Sequence, residues 1–193
     1  DQMKEYEEEF DSMLFHLPLA GSTFKKVYYD DLLGRAVSKF VPADDLVVPY
    51  SATSLDDADA IMHVLKMSEN DLRKQQVGGF YSDVELGAPS IIKNEVDSKE
   101  RELEGTKKTG RPETVYTLLE CHVNLDLEGF EDKDANGEPT GIKLPYIVTV
   151  DEGSRKVLSI RRNFNPDDPK KNRITYFVHF KFLPGLGFYG FGL

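Results

Sequence analysis

LPLAGSTFKKVYYDDLLGRAVSKFVPADDLVVPY, residues 17–50, contains two short runs rich in Val, Tyr and Phe, Lys25–Asp30 and Ala36–Val41. Asp31-Leu32-Leu33-Gly34 separates them, and Gly34 is free to take the positive φ that a tight reversal needs. The pair predicts a β-hairpin. Pro42 ends the second strand, because proline has no N–H to give to a ladder. Asp44–Pro49 then predicts a third extended segment.

Upstream, Tyr6, Phe10, Met13, Leu14 and Leu17 recur at near-helical spacing, with acidic residues crowding the first turns where the helix dipole favours them. This predicts a helix over Asp1–Leu14, stopped by Pro18 and Gly21. Downstream, Ser54-Leu55-Asp56-Asp57 fits a capping box and predicts a helix carrying Ala58, Ile61, Met62 and Leu65. Ser68-Glu69-Asn70-Asp71 repeats the signal before a short helix that ends at Gly78-Gly79. Ile91, Ile92, Val96 and Leu103 predict a further helix over Pro89–Glu104.

TKKTGRP, residues 106–112, is short, basic and without an apolar anchor, and reads as a linker. Beyond it the pattern is strand after strand: Thr114–Asp126, Leu144–Asp151, Lys156–Arg162 and Ile174–Leu183, with long loops at 129–141 and 163–172. These four are expected to pair as one antiparallel set, covered by the helices of the first half. The expectation is therefore an α+β fold: antiparallel sheet with packed helices, a mixed part over 1–105, the linker, and a β part over 113–193.

The 193 residues are 39% hydrophobic and 30% charged, the make-up of an ordinary globular chain. No apolar run approaches the roughly 20 residues of a membrane-spanning helix. The single Cys121 excludes an intrachain disulfide framework and sits in an alternating strand pattern, as a buried thiol would. Net charge is −10, unevenly spread: residues 151–193 hold eight basic against four acidic residues, a local +4 that leaves −14 on residues 1–150. An acidic body repels nucleic acid at long range, which argues against sequence-specific DNA binding but permits a surface past which DNA must slide.

Asp132-Lys133-Asp134-Ala135-Asn136-Gly137 matches the opening of an EF-hand loop, so Asp132, Asp134 and Asn136 are candidate calcium ligands. The twelfth position is Lys143 rather than a bidentate Glu, and both flanks read as strands; a turn rich in Asp, Asn and Gly accounts for the same letters. Arg161-Arg162 and Lys170-Lys171-Asn172-Arg173 form the one basic cluster, suited to phosphate or to an acidic surface on a neighbouring copy. His16 falls at the end of the first helix, His63 on a helix, and His122 and His179 in separate strands that could adjoin. Asp30-Asp31, Asp44-Asp45, Asp56-Asp57 and Asp167-Asp168 each fall at a turn or helix start, where carboxylates serve as caps. HExxH, CxxC, GxSxG and Walker patterns are absent from the sequence.

Three stretches in order, the opening hairpin with YYDDLLGR and FVPADDLVVPY, then YTLLECHVNLDLEG with PYIVTVDEGSRKVLSIRRNFNPDD, then FVHFKFLPGLGFYGFG, resemble the wing region of portal proteins of tailed bacteriophages, above all the short-tailed branch. The resemblance covers about Phe15–Leu193. It implies a non-catalytic structural protein without cofactors, part of a homo-oligomeric ring, commonly of about twelve copies, at one vertex of the virion capsid. Terminase, capsid and tail or adaptor proteins would be its partners, and double-stranded DNA would pass through non-specifically. Phe180–Gly192, glycine-rich yet aromatic, reads either as a loop over the chain's own core or as a junction to an adjoining element. A chain that opens in a helical pattern and ends on Gly-Phe-Gly-Leu reads as part of a longer protein. The rival expectations are a calcium- or ligand-binding β module, and a hydrolase assembled from separated His and Asp residues.

Overall fold

The computed structural model describes residues 3–31, 33–87, 89–91 and 114–193. Helix α1 (Tyr6–Ala20) leads into β1 (Ser22–Asp30), which pairs antiparallel with β2 (Arg35–Pro42). Gly34 has φ 63° and gives its N–H to the Asp30 carbonyl. The Asp30 carboxylate accepts the Leu33 N–H, so the hairpin closes on the residues its sequence offers. A 3-10 turn, Ala43–Asp45, carries the chain into β3 (Leu46–Val47).

α1 outruns its expected end. Pro18 is accommodated inside it, and the helix stops only at Gly21, whose left-handed φ of 75° aims its N–H at the Leu17 carbonyl.

The expected helix over Ala58–Leu65 is instead strand β4 (Ala60–Ser68). The capping contacts do form: Asp57 N–H bonds Ser54 Oγ at 3.3 Å and Ser54 N–H bonds Asp57 Oδ1 at 2.9 Å. They close a turn rather than start a helix. Ile61 and His63 are then buried while Met62 and Val64 are less so, and Leu46 and Val47 pair with His63 and Met62. Strand pairing and burial overrode a local signal.

The second cap works as expected. Ser68 accepts the Asp71 N–H at the start of α2 (Glu69–Val77), which ends at Gly78. Of the expected helix over Pro89–Glu104, Ser90–Ile91 forms strand β5, paired with β6 (Thr114–Leu125). Residues 92–104 and the expected linker at 106–112 lie outside the described residues.

β7 (Leu144–Asp151) and β8 (Val157–Arg162) complete an antiparallel sheet of order β3-β4-β6-β7-β8, with β5 beside β6. The last strand, β9 (Phe177–Lys181), does not close that set. It pairs antiparallel with β1, from Ser22 opposite Lys181 to Lys26 opposite Phe177, making a second sheet of order β2-β1-β9. The α+β class holds.

The chain groups into two compact units: Asp1–Val64 with Glu120–Val148 and Ile160–Leu193, and Leu65–Leu119 with Thr149–Ser159. In the first unit, Phe24, Val41, Leu46, Ile61, Phe177 and Phe188 form the main core, and Leu144, Tyr146 and Phe164 a second cluster. Full burial of a side chain such as Phe24 contributes about 1.5–3 kcal/mol. In the second unit, Leu72 of α2 packs with Tyr81, Leu118 and Leu158.

α1 and the carboxyl-terminal segment both serve the β2-β1-β9 sheet. Glu5 and Glu9 accept the Ser38 N–H at 3.2 Å and the Phe40 N–H at 2.6 Å, capping amides on the open edge of β2. Arg35 fastens Glu5 at 2.6 Å. Lys25 is buried on the helix side with Nζ 3.8 Å from the Tyr6 ring centre, a cation over an aromatic face. At the other end Phe188 stacks on Phe24 at 5.9 Å, Tyr189 Oη donates to the Leu46 carbonyl, and Leu193 N–H bonds the Pro18 carbonyl. The loop reading of Phe180–Gly192 therefore describes this segment: it folds over the core of its own unit.

Candidate functional site

The most concentrated polar chemistry lies in the core of the first unit. Glu120 and His122 stand two residues apart on β6, so both side chains leave the same face. Each is buried, at 6% and 2% exposure. Lys26 reaches them from β1, with Nζ 2.6 and 2.8 Å from the two Glu120 oxygens. His122 Nε2 lies 2.8 Å from Glu120 Oε1; an ionised carboxylate only accepts, so the imidazole nitrogen donates.

Burial alone would push the Glu120 carboxyl up. The His122 hydrogen bond and the Lys26 charge outweigh it and hold the carboxyl well below the usual range. His63 on β4 joins from the other side, its ring 5.4 Å from Phe177, which is itself 5.2 Å from the His122 ring. His63 is buried, its Nδ1 lacks a hydrogen-bond partner, and burial together with the Lys26 charge lowers its pKa to about 3. Chemically this is a closed arrangement. The carboxylate is a weak base with both oxygens engaged, and its charge is balanced by the ammonium. What it can do is fix β1 against β6 in one register.

His63 therefore sits on a strand, not a helix. His122 and His179 do not adjoin: His179 stacks on Phe24 at 4.4 Å and Phe188 at 4.7 Å, and its Nε2 is 3.1 Å from Ser22 Oγ. His16 lies within α1 rather than at its end, with its ring 5.0 Å from Phe40. Cys121 is half-buried on the face opposite His122, and burial raises its thiol pKa.

The Asp132–Gly137 loop is a tight hairpin tip. Asp134 accepts the N–H groups of Asn136 and Glu138, at 2.8 and 2.9 Å. Asp132 accepts from Thr140 Oγ1 at 2.8 Å and is salt-bridged to Lys171. These bonds hold both carboxylates below their usual range. Among the described residues no group of three or more His, Cys, Asp or Glu side chains gathers as a metal would require. The candidate ligands Asp132, Asp134 and Asn136 are thus spent on turn bonds and on a lysine.

The basic cluster separates into different roles. Arg173 donates to the carbonyls of Leu55 and Ala58, at 2.6 and 2.7 Å, and so clamps the turn before β4. Lys171, in a left-handed conformation at φ 49°, holds Asp132. Asp168 accepts the N–H groups of Lys170 and Asn172, which accounts for one acidic pair as a turn. Arg161 and Arg162 alternate on β8, where Arg162 is exposed with its guanidinium 6.0 Å from the Phe130 ring centre. A cleft of about 400 Å³ lies beside these loops, with Asp57 and Asp59, and Lys143 and Lys170, among its lining residues. Its opposite charges cancel and mark no single ligand.

Sequence reading missed the Lys26–Glu120–His122–His63 cluster, because its members come from three strands far apart in the chain. The Glu-x-His spacing on a predicted strand was the one signal that could have pointed to it. No known protein-family profile matches the chain, and no curated protein matches it as a relative.

Proposed function

We propose that this chain is the wing region of a bacteriophage portal protein, a non-catalytic structural component of the ring through which the genome is packaged into the capsid and later ejected. The observation that carries the reading joins sequence to fold. Two of the portal-like stretches, KKVYYDDLLGRAVSKFV and FVHFKFLPGLGFYGFG, lie at opposite ends of the chain, yet β1, β2 and β9 are partners in one sheet. Motifs that belong to one family module are expected to meet in one module.

The interior supports a structural role. The buried Lys26 and Glu120 neutralise one another and tie two strands together, and acidic turns cap backbone amides. The acidic balance of residues 1–150 suits a component that DNA passes without attachment. The partners that follow from the reading are further copies of the chain, terminase, capsid and tail or adaptor proteins, with virion localisation.

The test is the assembly state of the full-length protein by native mass spectrometry and negative-stain electron microscopy. A closed ring of about twelve copies with an axial channel is expected. A protein that stays monomeric across a range of salt concentrations would sink the reading.

A further inference from the structure

Two exposed surfaces of the first unit complement one another, and we infer that they form the head-to-tail contact between neighbouring copies; this rests on the ring reading. The first is the outer stripe of α1. Glu8, Asp11, Phe15 and Leu19 follow one another at three- and four-residue spacing, so they share one helix face. All four are exposed, Phe15 and Leu19 at 68% and 65%. The stripe is acidic at its amino-terminal end and apolar at its carboxyl-terminal end. A contiguous apolar patch exposed to water, rimmed by polar residues, marks an interaction surface.

The second surface presents a cation, Arg162, next to apolar side chains. Ile160 and Arg162, two apart on the edge strand β8, leave the same face, and Phe130 lies against the Arg162 guanidinium. Ile160 and Phe130 are 50% and 59% exposed. Here an apolar pair surrounds a cation, where α1 has an apolar pair beside carboxylates. The two patches match in kind and differ in sign, so neither is complementary to itself. A head-to-tail contact between unlike patches on identical chains is heterologous, and it closes into a ring when the rotation from copy to copy closes. The occupant of the α1 stripe is therefore the β8 surface of a second copy, with Arg162 set against Glu8 and Asp11.

A mixing experiment on the full-length protein tests this. Leu19→Glu blocks the α1 stripe and Ile160→Glu blocks the β8 surface; both positions are exposed, so each variant should keep its circular dichroism spectrum. Native mass spectrometry should find each variant alone monomeric. An equimolar mixture should give one species, a dimer holding one copy of each, since only one productive pair of faces remains. If Ile160→Glu does not fold, Arg162→Glu takes its place. A ring formed by either variant alone, or a mixture that stays monomeric, overturns the contact while leaving the ring reading intact. An unsubstituted protein that is itself monomeric removes the ring reading and this contact together.

Discussion

Lys26 Nζ lies 2.6 Å from Glu120 Oε1, joining β1 of one sheet to β6 of the other across 94 residues of sequence. Both side chains are nearly buried, at 12% and 8% exposure. Taking one partner away leaves the other charged and desolvated, which costs more than the pair itself contributes. Glu120→Gln or Lys26→Met alone should lower unfolding free energy by about 3–5 kcal/mol. The double variant should recover much of that loss, because the amide carbonyl introduced by Glu120→Gln would still accept from His122 while no uncompensated cation remains. Urea unfolding of the four proteins measures the coupling, and strictly additive losses would contradict it.

Acid should weaken the fold in two stages. His63 has a folded pKa of about 3 against an ordinary 6.5, so between those values the unfolded chain binds a proton that the folded chain refuses. Its contribution is complete above pH 6.5 and declines as pH falls, by up to about 1.4 kcal/mol per pH unit. His179, lowered to about 4 by burial, acts in the same direction but is only partly buried and more screened. Glu120, held below its ordinary 4.5, contributes fully above that value and is lost only in stronger acid. Melting temperature should therefore fall from pH 6.5 downward, and His63→Leu should flatten the slope between pH 6.5 and 4.5. An unchanged slope in that variant would assign the titration elsewhere.

The edge of β2 owes its protection to two carboxylates one helical turn apart. Replacing both Glu5 and Glu9 by alanine returns the Ser38 and Phe40 amides to solvent. Hydrogen exchange at those two amides should accelerate at least about tenfold, equivalent to about 1.4 kcal/mol of lost local protection. Val37 and Lys39, which by strand alternation face β1, should keep theirs. Equal acceleration at all four would mean that the whole hairpin depends on α1.

Gly21, Gly190 and Gly192 meet backbone to backbone. A Cβ on Gly190 would lie 2.5 Å from the Gly21 carbonyl oxygen, and one on Gly192 would lie 2.6 Å from that of Leu19. Gly21→Ala adds a left-handed backbone penalty of about 1–2 kcal/mol to the same kind of clash. Each alanine variant should detach the final segment, seen as protease cleavage near the fully exposed Leu186 under conditions that leave the parent chain whole. An intact segment in the Gly190→Ala and Gly192→Ala variants would show that the close approach is dispensable.

The parts legible in the sequence were those set by neighbours along the chain. The Asp31–Gly34 turn, the Ser68 cap and the three strands β6, β7 and β8 depend on local conformation and on alternation within one strand. Ala60–Ser68 reads as a helix from sequence because Ile61, Met62 and Leu65 fit a helical stripe as well as a strand, and Ser54 with Asp57 makes the same reciprocal bonds in a turn as in a capping box. Only the pairing of His63 with Leu46 decides between them, and no local pattern carries it. The departure of β9 to join β1 is hidden for the same reason. So is the polar cluster: the sequence lets the strands of His122 and His179 adjoin, whereas the partners of His122 are Glu120, two residues along its own strand, and, through it, Lys26 on a strand of the hairpin.

Ser22 stands opposite Lys181 at the very end where β1 begins and β9 finishes. A pull on the two chain ends thus reaches the ladder at one rung and peels it like a zipper, instead of loading all its rungs in shear. Mechanical strength along that line rests on the clasp outside the ladder. The Leu193–Pro18 bond and the paired Leu183 and Phe191 amides take the tension before any strand does.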